Sequence, residues 1–235
     1  MSDSADLYTG GGYLENNPTW HLEDSPFKAK YIHQIIAANK LSPQTIAEIG
    51  CGAGGVLHEL GKLLPSPEIR FSGFDVSADA IEMAQQFVNE RTSFEAINLF
   101  DAPQQFDLLM AIDVFEHVPD YLGFISGCAR LAKYKLFHVP LDIHVSSVLR
   151  GTVGSARANV GHLHYFTSET ALDTIRGCGM NIVDSLFTPT AIELYRMHPS
   201  LKRAIANMPR WLVSKINKRI AARWFGGYSL LILAE

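Results

Sequence analysis

A glycine turn and two carboxylates set the chemical question. Gly50, Gly52 and Gly55 satisfy the G-x-G-x-x-G spacing of a turn that passes from strand to helix while letting a ligand approach the backbone. Alone, that spacing fits a dinucleotide pyrophosphate, or a tight turn with no ligand. Glu48, two residues before Gly50, separates the readings, because a carboxylate beside the turn repels a pyrophosphate and receives an ammonium. Asp75 lies 25 residues after Gly50, at the end of the next apolar run, where a carboxylate accepts hydrogen bonds from the vicinal hydroxyls of a ribose. The expected ligand carries both an amine and a ribose.

An amino acid joined to a nucleoside without phosphates is S-adenosylmethionine. The run Ala47-Glu48-Ile49-Gly50-Cys51-Gly52-Ala53-Gly54 resembles the first motif of the class I S-adenosylmethionine-dependent methyltransferases, and Phe74-Asp75-Val76-Ser77 resembles their second. Asn98-Leu99 stands where that family contacts the adenine. Phe106-Asp107-Leu108-Leu109 and the run Asp113 to Asp120 are similar to its fourth-strand region. The resemblance covers about Pro26 to Pro140 and implies a methyltransferase whose cofactor is contacted by Glu48, Gly50, Cys51, Gly52, Asp75, Val76, Asn98, Leu99, Ile112 and Asp113. Ser25-Pro26-Phe27-Lys28 resembles the site at which ubiquinone-biosynthesis O-methyltransferases meet the cofactor carboxylate with a basic residue, which adds Lys28; a solvated lysine is the alternative. Trp20 is expected to fold over the cofactor as part of a lid, or else to staple the first helix.

In a sulfonium the leaving group is already good, so the protein mainly orients the acceptor and excludes water. A hydroxyl acceptor also needs a base, and histidine suits neutral pH. Of nine histidines, His117 follows the fourth strand at the carboxyl edge of the sheet and is the expected base; the alternative is that Glu116-His117 steadies the next helix. His162 and His164 alternate in an extended segment that, by resemblance, covers the acceptor pocket, so both could face one side. These three form the expected catalytic set. His138 and His144 flank the end of the fifth strand and are weaker candidates, and His33 and His58 read as structural or solvated. Asp113-x-x-Glu116-His117 resembles the E-x-x-E-H of ubiquinone-pathway enzymes, where a divalent ion is implied, but Asp113 has a shorter arm and no metal ligand is assigned.

These residues need elements to carry them. Apolar spacing predicts a helix over Ser25–Ala38, a strand Thr45–Ile49, a helix after the glycines, a strand Ile69–Phe74, a helix Ala78–Asn89, and strands Phe94–Leu99 and Phe106–Ile112. A helix Pro119–Leu131, a strand Tyr134–Val139, a helix Ser168–Gly177, a strand Met180–Phe187, a basic helical stretch Leu201–Ala222 and a strand Tyr228–Ala234 follow. Alternation of this kind gives an α/β doubly wound, mostly parallel sheet. The resemblance implies a Rossmann-like methyltransferase fold of seven strands, the last antiparallel and forming a hairpin with the sixth. Residues 1–24 read as a leader or lid and 25–235 as the methyltransferase domain, with a basic helical insertion at about 196–224.

The 235 residues are 47% hydrophobic, with 24 acidic against 20 basic side chains and a net charge of −4, which excludes collagen-like and disordered classes. Three scattered cysteines without a CxxC pair exclude a disulfide framework and a cysteine zinc site. No export signal or apolar run of about 18 residues is seen, so a cytoplasmic protein is expected. Eight basic residues and no acidic one fall between Arg196 and Arg223, leaving the rest at −12. That stretch is a solvated helix face, a site for an anionic acceptor, or an attachment to an anionic membrane surface; nucleic acid is not expected.

The expected acceptor is a small molecule, most directly a sugar hydroxyl, free or nucleotide- or lipid-linked, because Asn17-Pro18-Thr19-Trp20-His21 through Lys28 also resembles bacterial polysaccharide-associated methyltransferases. A phenol or quinone precursor, an amine or a carboxylate are alternatives. A non-catalytic cofactor-binding scaffold is the alternative of another class. A nicotinamide dehydrogenase would have to seat a pyrophosphate beside Glu48.

Overall fold

A computed structural model describes Trp20 and residues 22–235; the expected leader before Trp20, and His21 of the proposed lid, lie outside the described residues. Helix α1 (Ser25–Ala38) opens with Pro26 in its first turn, where a missing N–H costs nothing. Strand β1 (Thr45–Ile49) and helix α2 (Gly55–Leu63) flank the glycine turn. Next come β2 (Arg70–Asp75), α3 (Ala78–Ala84), β3 (Thr92–Ala96), β4 (Phe106–Ile112), α4 (Tyr121–Cys128) and β5 (Ala132–Pro140). After β5 the chain forms α5 (Val145–Leu149), α6 (Ser155–Val160), α7 (Ser168–Gly177), β6 (Ile182–Thr188), α8 (Thr190–Met197), α9 (Leu201–Ser214), α10 (Lys218–Phe225) and β7 (Ser229–Ala234).

The seven strands lie in the order β3-β2-β1-β4-β5-β7-β6, all parallel except β7, which runs antiparallel to both β5 and β6. Strand order reverses between β1 and β4, so the crevice at their carboxyl ends is where such a sheet takes a ligand. The central strands are buried on both faces. Ile46, Leu108, Met110 and Leu136 face α1 and α2, while Ala47, Leu109, Ala111 and Phe137 face α4 and α7. Period-2 alternation thus divides one sheet between two cores. Among the described residues no helix is long and apolar enough to cross a membrane.

The structure changes several expectations. The strand placed at Phe94–Leu99 is β3 at Thr92–Ala96, so Asn98 and Leu99 lie beyond it in a turn. The last strand is antiparallel and pairs with the sixth as expected, with α8, α9 and α10 in the connection between them. The basic helical stretch, expected to break near Pro209, keeps that proline inside α9 and breaks instead at Lys215–Asn217, where the Asn217 side chain caps α10 by accepting from Ile220 N. Helices α5, α6 and α8 were not expected. With five to eight residues each, they are too short for an apolar period to show.

Candidate active site

At the end of β1 the chain turns sharply, and Gly50 N and Cys51 N both donate to the Phe74 carbonyl at the end of β2. Gly50 has φ +71, and a Cβ there would lie 2.7 Å from Val114 Cγ2, so both backbone and space demand glycine. Gly52, φ +52, presents its backbone to the open crevice beside Trp20. Asp75 closes the turn. Its Oδ2 accepts from Gly52 N at 2.8 Å and its Oδ1 from Ser77 N at 2.9 Å, which fixes the carboxylate and leaves further lone pairs for a ligand. Burial raises the Asp75 pKa and these backbone donors oppose the rise.

The crevice widens into a cavity of about 600 Å³ lined by Trp20, Lys28, Glu48, Gly50, Cys51, Gly52, Asp75, Val76, Ile112, Asp113, His117 and His162, among others. All of these were expected site residues. Glu48, between Gly73 and Met110 in the sheet, is almost fully buried and its Oε2 has no hydrogen-bond partner. Burial pushes its pKa up to about 8, against the opposing pull of Lys28. An unsatisfied carboxylate in this position is matched by a ligand ammonium.

Lys28 projects from α1 to Asp113 Oδ2 at 2.9 Å and lies 4.0 Å from Asp24 Oδ2. Desolvation would lower its pKa, but Asp113, Asp24 and Glu48 outweigh it and the pKa is raised. Asp113 carries the backbone out of β4 at φ +57, a left-handed conformation that Asp tolerates better than most residues. Its Oδ1 meets His138 Nδ1 at 2.6 Å, and His138 Nε2 meets Thr188 Oγ1 at 2.8 Å. Burial favours the protonated Asp113, yet His138 and Lys28 hold its carboxyl well below the usual range. Lys28 and Asp113 at the pocket wall are thus linked through His138 of β5 to Thr188 of β6 in the interior.

Beyond Asp113, a short 3₁₀ turn, Phe115–His117, carries Glu116 into the interior and His117 to the cavity wall. His117 and His162 meet edge to face at 4.9 Å between centroids. Burial, then the nearby His162, lowers the His117 pKa to about 4, so its imidazole is neutral at pH 7. Asp142 Oδ2 fixes His162 through Nδ1 at 2.6 Å. Glu116 is fully buried and neither side-chain oxygen has a hydrogen-bond partner; burial, then Asp113, raises its pKa well above the carboxylate range. Glu116, His117 and His162 each offer one ligand atom, all within 4.8 Å of one another. One carboxylate oxygen and two imidazole nitrogens, one ring steadied by Asp142, fit a divalent ion of the zinc class. Asp113, engaged by Lys28 and His138, is not part of that set.

Three expected residues lie elsewhere. His164 Nε2 bonds the Val118 carbonyl at 3.0 Å, and its ring packs on Tyr121 at 4.3 Å, so it holds the loop after His117 rather than facing the cavity. Leu99 is completely buried in the core behind β4, and Asn98 is exposed with its Oδ1 accepting from Phe100 N; neither lines the cavity. Asp142, Thr190 and Ser229 were missed as neighbours of this site. Asp142 carried a weak signal, two residues past β5, while the others come from distant elements with no spacing to betray them.

Residues 47–134, the stretch holding the glycine turn, Asp75 and His117, match the family described as "Methyltransferase domain". That match and the relatives below place a methyltransferase domain of the S-adenosylmethionine-dependent kind in this part of the chain. The methyltransferase domain is 29% identical over 143 residues to a ubiquinone biosynthesis O-methyltransferase of Nitrosomonas europaea, covering 57% of this chain and 58% of that one. A Coxiella burnetii protein of the same description is 31% identical over 137 residues, covering 56% of each. The chain therefore spans little more than half the length of the curated relatives it matches. A solved plantazolicin methyltransferase with bound S-adenosylhomocysteine and a substrate analogue superposes with TM-score 0.61 at 15% identity, covering 98% of this chain and 92% of the other. The magnesium protoporphyrin IX methyltransferase of Synechocystis, with S-adenosylhomocysteine bound, gives 0.60 at 16%, covering 89% and 82%. At such identities these structures speak to the fold.

Proposed function

We propose that the protein transfers a methyl group from S-adenosylmethionine to a hydroxyl oxygen of a small acceptor. The observation that carries this reading is the pairing of a prepared Asp75 carboxylate with an unsatisfied, buried Glu48 across one glycine turn. Asp75 receives the ribose hydroxyls, Glu48 the cofactor ammonium, and Val76, exposed at the rim, gives the adenine an apolar face. Lys28, already paired with Asp113, lies where it can also meet the cofactor carboxylate.

The acceptor enters beside His117, where Val114, Val118, Pro119 and Val160 make the wall apolar. That wall suits a phenolic ring, in keeping with relatives that carry the name ubiquinone biosynthesis O-methyltransferase. The expected sugar hydroxyl finds no support in those relatives. His117, neutral at pH 7, takes the proton from the acceptor hydroxyl as its oxygen forms a bond to the methyl carbon. The carbon–sulfur bond breaks with its electron pair passing to sulfur, which leaves S-adenosylhomocysteine. The divalent ion implied by the ubiquinone-pathway resemblance would be held by Glu116, His117 and His162, and when bound it supplies a lowered pKa at a coordinated hydroxyl. In that case His117 is a ligand and not the base.

Calorimetric titration with S-adenosylmethionine and S-adenosylhomocysteine, on wild type and Asp75→Ala, tests the cofactor reading. Micromolar binding weakened by the substitution supports it. Absence of binding by folded wild type removes its basis. A phenol screen for methyl transfer, with and without chelator, then addresses the acceptor and the ion.

A further inference from the structure

The longest helix between β6 and β7, α9, is packed inside out. On α9, Leu201, Ile205, Met208 and Leu212 recur at the spacing of a single helical stripe, and that stripe faces solvent, Leu201 at 79% exposure. The side turned to the protein is led by polar groups, with Val213 beside them on the core: Asn207 is buried and donates to the Ala191 carbonyl, and Arg210 donates to the carbonyls of Phe225 and Gly226. Helix α10 buries two small apolar residues, Ala221 and Ala222, in the core, while the larger Ile220 and Trp224 point outward. Between them Ile216 is 88% exposed, and Lys215 Nζ sits 3.6 Å above the Trp211 ring. The apolar surface continues onto Val148 and Leu149 of α5, which share a cavity of about 370 Å³ with Ala222 and Arg223.

Charge selects the occupant. No acidic residue occurs from 194 to 234, whereas this segment carries eight Lys and Arg. Arg196 pairs with Glu193, Arg219 and Arg223 with Glu169, and Arg210 turns to backbone carbonyls, so the charge left for a partner is that of Lys202, Arg203, Lys215 and Lys218. A second copy of this chain docked about a twofold axis would set the same cations against each other. Cations interleaved with outward Trp, Ile and Leu suit an interface that is apolar within and anionic at its rim. We propose that the outward face of α9 and α10 docks on an anionic membrane surface, its apolar stripe entering the boundary between headgroups and acyl chains.

The test is co-sedimentation of the full chain with vesicles of phosphatidylcholine alone and of phosphatidylcholine mixed with phosphatidylglycerol, at low and high salt. Binding is expected to the mixed vesicles, at least about tenfold stronger than to phosphatidylcholine and weakened by salt. Lys202→Ala and Lys218→Ala are each expected to weaken it about fivefold, and Ile205→Ser with Trp224→Ser to abolish it while leaving thermal unfolding unchanged. No binding to either vesicle overturns the proposal, as does equal, salt-insensitive binding to both. Self-association in light scattering that the same serine variants disperse also overturns it, assigning the face to a second copy. None of these readouts depends on methyl transfer, and cofactor titration remains a separate check on the catalytic reading.

Discussion

The glycine-turn edge of the sheet and the helices inserted between β6 and β7 handle polar groups in opposite ways. At the turn, backbone N–H groups are spent on a carboxylate, and the apolar residues of β1, β2 and β4 lie behind it in the core. In the insert, Asn207 and Arg210 face the protein and the apolar stripe faces outward. The first arrangement fixes a ligand site at the expense of surface adaptability. The second leaves a surface whose burial awaits something outside the chain. The contrast also teaches that buried polar groups mark function differently: Asp75 is prepared by donors already in place, whereas Glu48 and Glu116 are left short of them.

Substitutions at the turn edge should therefore be costly, and those on the insert surface cheap. The largest effect is expected at His117: His117→Ala should lower kcat about 10²- to 10⁴-fold with cofactor affinity unchanged, as read by steady-state kinetics beside calorimetry. Full turnover would remove it as base and as ligand. Asp75→Ala should weaken S-adenosylhomocysteine binding about 100-fold, since two hydrogen bonds to a charged acceptor are lost together. Gly50→Ala should cost about 2–4 kcal/mol in chemical denaturation, combining a disfavoured φ with a clash at Val114.

A finer test uses the pH dependence of Glu48. Unfolded, it ionises near its ordinary 4.5; folded and without ligand, it keeps its proton up to about 8. Between those values the native state binds more protons, so stability should fall as pH rises through this window. Glu48→Gln should flatten that slope in thermal unfolding measured from pH 5 to 8; an unchanged slope would mean that Glu48 is not the group responsible. The smallest effect is expected on the other side of the comparison, where Trp224→Ser should change stability by no more than about 0.5 kcal/mol because the ring is already half in water.

Legibility in the sequence followed the same division. Thr45–Ile49, Ser25–Ala38 and Ser168–Gly177 agree residue for residue with β1, α1 and α7, because each has an unbroken apolar period and a clear boundary. Glu48, Gly50, Gly52 and Asp75 were readable because one turn and two strand ends impose their spacing. His162 and His164 show where that logic stops. The alternation rule assumes an extended strand, but this segment is irregular, and Leu163 N and His164 N both bend to the Glu116 carbonyl, at 2.8 and 3.1 Å. One ring therefore reaches the cavity and the other props up the loop. Asn98 and Leu99 were misplaced because β3 ends at Ala96, a boundary that no proline or glycine announces. The inverted helix was visible as part of a cationic, apolar stretch. Which side faced the protein was not, since it depends on Ala191, Phe225 and Gly226, contacts that a helical wheel does not contain.

The position of β7 also constrains how the chain can assemble. It lies between β5 and β6, so among the described residues β6 pairs only with a strand that follows it by some forty residues. Until Ser229–Ala234 is in place, β5 presents an open edge and β6 has nothing to pair with. Both pairings of β7 join segments distant in sequence, with α8, α9 and α10 in the loop that closes on β6, so the chain-entropy cost of finishing this edge of the sheet falls on the last six strand residues.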